Sequence, residues 1–119
     1  MAMKRLILEM GLGTDLHGED YTKAAIRGVK NAIHHSSLTL FRSLNLDSRE
    51  MCVKVTIGIP KPEEVDKEQV KNCLPHGKVT VITAPGGLHI EDTENKKNSV
   101  VASVGVEAFY DIQIKSLKP

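Results

Sequence analysis

The residues with the most chemical potential lie in one short segment, Gly11-Leu12-Gly13-Thr14-Asp15-Leu16-His17-Gly18. Asp15 and His17 stand two apart, so extended backbone projects both to one side. A carboxylate beside an imidazole favours the imidazolium and fixes its tautomer. Such a pair can act as an acid–base couple or supply two ligands to a metal. Gly11, Gly13 and Gly18 let a ligand approach the backbone closely, and the helix expected next offers free N–H groups. Lys23 and Arg27 follow within two helical turns and are placed to hold a substrate carboxylate or phosphate. The same residues have a purely structural account. Glycines with an aspartate make tight turns, Glu19 and Asp20 complement a helix dipole, and Glu19 pairs with Lys23 at i,i+4 spacing. In that account His17 bonds only a backbone carbonyl. Residue chemistry leaves all three readings open: a small-molecule site with Asp15 and His17 as catalytic pair, a metal site, and a structural turn. It specifies no cofactor.

Two familiar phosphate motifs are excluded. A dinucleotide fingerprint needs a third glycine where Leu16 stands. A P-loop fits the spacing of Gly13 and Gly18, but Glu19 and Asp20 replace its Lys and Ser/Thr, and two carboxylates repel a phosphate. The other histidines are less pointed. His34-His35 closes a helix, where the dipole favours a cation. His76 lies in a Pro75-His76-Gly77 turn, and His89 follows Gly86-Gly87; either can join the Asp15–His17 pair in space. Cys52 and Cys73 form no C-x-x-C, which argues against a thiolate zinc site, and read as free thiols of a cytosolic protein.

The elements that must position these residues follow from hydrophobic periodicity. Residues 3–10 predict a strand that ends in the glycine loop. A helix follows over 20–34, with Asp20 as N-cap and Ala25, Ile26, Val29 and Ile33 as its buried stripe; Lys23, Arg27, Lys30 and His34 form a wet face. Residues 36–50 give no clear pattern. Val53, Val55, Ile57 and Ile59 alternate with polar residues in a strand over 52–59, which Pro60 and Pro62 end. Asp66 and Gln69 have capping-box spacing, and Val65 and Val70 match a hydrophobic staple, so a short helix starts at Asp66. Residues 78–84 predict a strand, 85–87 its turn and 88–92 a return strand. The last strand, over 99–114, places Val100, Ala102, Val104, Val106, Ala108, Tyr110, Ile112 and Ile114 on one face. At ~3.3 Å per residue it spans roughly 50 Å, too long for a chain of this size without bending, bulging or projecting. Gly105 is the natural place for a bulge; projection favours pairing with another subunit.

Composition bounds the rest. The 119 residues make a single domain, 1–119. Sixteen Lys and Arg against fifteen Asp and Glu leave a net charge of +1, which argues against a nucleic-acid or membrane-surface binder. No apolar run approaches a membrane span, and MAMKRLILEM lacks a signal-peptide cleavage site. The element order β-α-β-α-β-(β)-β implies an α/β (α+β) two-layer sandwich: a mixed sheet with a parallel pair, helices on one face and the other face left for a homo-oligomer partner.

The run GLGTDLHGEDYTKAAIRGVKNAI resembles the signature of the Lin-type family of conserved hypothetical proteins, small proteins of bacteria and plants marked by G-x-G-x-D-x-H-G. Ile59-Pro60, Leu74-Pro75 and Gly86-Gly87 are also similar to that family, whereas 36–50 departs most. The family is uncharacterised. The resemblance implies a role for Asp15 and His17 beyond turning the chain, and names no reaction. The element order also resembles the small trimeric folds of bacillary chorismate mutase and YjgF type, an analogy of fold alone.

Overall fold

A computed structural model describes residues 3–16, 18–34, 50–74 and 77–111. The elements are β1 (Met3–Asp15), α1 (Tyr21–His34), β2 (Cys52–Ile59), a 3₁₀ turn (Pro62–Glu64), α2 (Lys67–Lys71), β3 (Lys78–Pro85), β4 (Leu88–Asp92) and β5 (Lys97–Asp111). They form an α+β fold with one five-stranded mixed sheet in the order β1-β5-β2-β3, and β4 pairs with β5. β2 and β3 are parallel and joined through α2, while β5 runs antiparallel to β1, β2 and β4. The parallel pair and the antiparallel end of the chain match the sequence reading.

Alternation decides which face is buried. Val53, Val55, Ile57 and Ile59 of β2 and Val100 to Tyr110 of β5, taken at every second residue, pack into one core with α1 and α2. The opposite face of the sheet carries no helix among the described residues. Asp66 caps α2, accepting the N–H groups of Glu68 and Gln69, and the Gln69 amide donates back to the Asp66 carboxylate. Val65 and Val70 are both buried beside it, as a staple requires.

Three boundaries differ from the sequence reading. The strand predicted over 3–10 continues to Asp15, because β5 pairs with it residue by residue through Asp15↔Val100. Gly11, Gly13 and Asp15 therefore belong to a strand, not a loop; tertiary pairing outweighs the poor strand propensity of glycine. The buried stripe of α1 is Ala24, Ala25, Gly28, Val29 and Ala32, with Ile26 and Ile33 only partly buried. Small residues face the sheet because the helix sits close to it. Finally, β5 runs through Gly105 in unbroken register, and the one irregularity lies in β1 between Arg5 and Ile7. The strand does not bulge there, and β4 and β1 of the same chain pair with it from Lys97 to Asp111; the longest dimension of the molecule is 62 Å. The expectations for 36–50 fall outside the described residues apart from Glu50, and those for Ile112 and Ile114 fall outside them entirely.

Candidate functional site

Asp15 is the last residue of β1, and its inward position on the strand buries it to 5% exposure. Its Oδ2 accepts the backbone N–H of Asp20 at 2.9 Å, which ties the end of the strand to the start of α1. That hydrogen bond is the main reason its carboxyl lies below the usual carboxylate range. Burial works the other way, and the Lys23 charge, the Gly18 N–H and the Arg27 charge add to the lowering. Arg27 Nη1 donates to the Thr14 carbonyl at 2.7 Å and stands 3.7 Å from Asp15 Oδ1. Asp20 caps the helix as its sequence position predicts, its Oδ1 accepting the Lys23 N–H at 3.0 Å.

These groups surround a cleft of about 490 Å³ lined by Asp15, Leu16, Gly18, Asp20, Lys23 and Arg27. A second recess of about 360 Å³ continues it between α1 and α2, where Lys23, Arg27 and Lys30 meet Thr22 and Gln69. Three cations lie along one helix face beside the Asp15 and Asp20 carboxylates, and among the described residues neither Lys23 nor Lys30 has a carboxylate in hydrogen-bond range; the excess of cations suits an anion bearing several oxygens.

The glycines divide into two kinds. A Cβ on Gly13 would lie 2.0 Å from the Ala24 carbonyl oxygen and 2.1 Å from the Gly28 nitrogen, and one on Gly11 2.5 Å from the Ala32 nitrogen. Both face the backbone of α1, so the missing side chains let helix and strand touch. Asn31 of that helix also accepts the N–H of Leu12 at 3.0 Å. Gly18 instead lines the cleft, and a Cβ there would meet only Asp15 Oδ2, at 3.3 Å.

A second polar cluster adjoins the loop. Glu19 holds a left-handed backbone, φ 48°. Its carboxylate accepts from the Asn98 side chain and lies 3.4 Å from His89 Nε2. The Asn98 hydrogen bond leads the causes that hold the Glu19 carboxyl below its ordinary value, and His89 contributes.

The family model of the conserved hypothetical proteins designated Lin0512 matches residues 5–108. The chain belongs to the Lin0512 family. Among solved structures this Lin0512 chain is similar to an FtsZ-like protein of unknown function from Nostoc punctiforme. The two are 35% identical, with a TM-score of 0.82, over 93% of this chain and 98% of that one. No curated protein matches it.

The Lin0512 fold therefore brings Asp15, Gly18, Lys23 and Arg27 together and directs Gly11 and Gly13 into the helix contact. His17 and His76 lie outside the described residues. His89 does reach the loop, but at Glu19, a partner that spacing in the sequence could not reveal; only the Gly86-Gly87 turn hinted that the chain doubles back there. Among the described residues no group of three or more His, Cys, Asp or Glu could hold a metal ion. No helix among them is long and apolar enough to cross a membrane.

Proposed function

We propose that the loop after β1 and the basic face of α1 bind a small anionic metabolite, a carboxylate or phosphate ester. The observation that supports this reading is the cleft shared by Lys23 and Arg27 and continued by Lys30, where three cations outnumber the two lining carboxylates, Asp15 and Asp20, each of which is already engaged by a backbone N–H. Lys23 and Arg27 hold the anion, and Gly18 permits close approach of the loop. Asp15 acts chiefly as a positioning group: it keeps Arg27 beside the cleft and the loop closed on α1. His17, between Leu16 and Gly18 in sequence, is the residue left to act on the ligand as acid, base or ligand to a cation. A homo-oligomer and a cytosolic setting are compatible with this reading and are proposals of the same standing.

The alternative is a partner-binding or assembly module in which the segment is a structural turn. The hydrogen bond from Asp20 to Asp15 favours it, because it engages the carboxylate without any ligand. Titration with inorganic phosphate, pyrophosphate and citrate, followed by amide NMR shifts, separates the two. The expected result is a saturable response centred on 18–30 in wild type, weakened at least about tenfold in Lys23→Ala and His17→Ala, with both variants melting like wild type. Equal responses in wild type and Lys23→Ala, or none, would overturn the site.

A further inference from the structure

The exposed apolar surface is concentrated on the face of the sheet that no described helix covers. Of the eight exposed large apolar side chains among the described residues, Leu8, Met10, Leu12, Ile82, Leu88 and Ile90 point there, while Met3 begins β1 and Leu16 follows its end. Met10 is 69% exposed and Leu12 62%, far above what a core-facing strand shows. Cross-strand register arranges them in rows. Met10 stands beside Gly105, Thr56 and Ile82; Leu12 stands beside Ser103, Gly58 and Ala84. An apolar ridge on β1 thus borders a trough of small residues on β5 and β2, a groove of about 660 Å³.

Among the described residues nothing accounts for a glycine at position 105. A Cβ there would meet nothing within 4 Å, its φ is not left-handed, and the strand has no bulge at it. Glycine inside a strand weakens it, and its usual reason is the close approach of something else. We infer that a second copy of this chain packs on this face, the Met10–Leu12 ridge of each seated in the Gly105–Gly58 trough of the other.

Ridge and trough lie on the same face about one and a half strand spacings apart, ~7 Å. A two-fold axis running between them places both ridges over both troughs at once, which is the self-complementarity that an isologous dimer requires. The area is sufficient. Four strands at ~4.8 Å and about ten residues at ~3.3 Å make a face of roughly 600 Å², and β4 extends it toward the ~800 Å² per partner of a standard interface. Charge is also where a dimer needs it. Arg5 and Glu107 pair at 3.2 Å toward one end, and the central rows of Met10 and Leu12 hold no charged residue, as interface centres do.

Sedimentation equilibrium of the full chain tests this, with Leu12→Lys for the ridge and Gly105→Lys for the trough. Both positions face outward in a single chain, so the circular dichroism spectrum and cooperative melting should persist. Wild type is expected to have twice the 13.1 kDa chain mass, and each variant to weaken association at least about a hundredfold. A monomeric wild type, or association that survives both substitutions, overturns the interface.

Discussion

The carboxylate of Asp15 and the backbone N–H of Asp20, 2.9 Å apart, close the turn between the end of β1 and the first turn of α1. The bond joins a buried charge to a helix start, with Lys23 and Arg27 adding attraction. Asp15→Ala leaves that N–H without its acceptor, a loss of about 1–3 kcal/mol. The melting temperature should fall by about 4 °C or more. The pH dependence follows from the lowered folded-state pKa. Stability from Asp15 is full above the ordinary carboxylate pKa and is lost as pH falls through the folded-state value. Asp15→Asn should therefore be less stable than wild type at pH 7, and the gap should narrow on acidification. A constant gap in thermal melts between pH 7 and pH 2 would rule out the charge as the cause.

Gly13 separates packing from ligand approach. An added Cβ would meet backbone atoms of α1 at 2.0 and 2.1 Å, and backbone cannot swing aside as a side chain can. Gly13→Ala should cost at least about 3 kcal/mol, the upper range for overpacking, and denaturant melts should show it directly. Gly18→Ala, whose Cβ would meet only Asp15 Oδ2 at 3.3 Å, should stay within about 1 kcal/mol of wild type. If instead Gly13→Ala melts like wild type, the strand–helix contact is not what requires this glycine.

These contrasts show which parts of the molecule local pattern could reveal. β5 was readable because one of its faces is wholly buried, so Val100 to Tyr110 alternate without exception. The cap at Asp66 was readable because its partners lie within three residues. The end of β1 was not, since glycine and aspartate signal a turn unless a distant strand claims them, as Val100 to Val104 do. The stripe of α1 was misplaced toward Ile26 and Ile33 for a related reason: the tightest helix–sheet contacts select Ala and Gly, which hydropathy underweights. Of the candidate site, Lys23 and Arg27 were legible from helical spacing. Glu19 does not make the i,i+4 pair with Lys23 that its spacing predicts: it precedes α1 in a left-handed conformation, and its partners His89 and Asn98 lie 70 and 79 positions away.

Glu19 also ties the β4–β5 hairpin to the rest of the fold. Every residue of β4 is exposed, and among the described residues its ladder is to β5 alone. The His89 and Asn98 contacts to Glu19 therefore anchor the hairpin to the loop that follows β1, across a residue whose left-handed φ is unusual for glutamate. The Asn98 hydrogen bond favours the charged carboxylate, so removing it raises the pKa. Carboxyl ¹³C NMR of Asn98→Ala should show Glu19 titrating at higher pH than in wild type, nearer an ordinary glutamate. Amide exchange in β4 should also quicken, while the core of β2 and β5 keeps its protection. In wild type the same loosening should appear as pH falls through the Glu19 titration, because the protonated carboxyl gives up its charge-assisted bonds. Unchanged exchange in β4 with a shifted Glu19 titration would mean that the contact tunes the carboxylate without holding the hairpin.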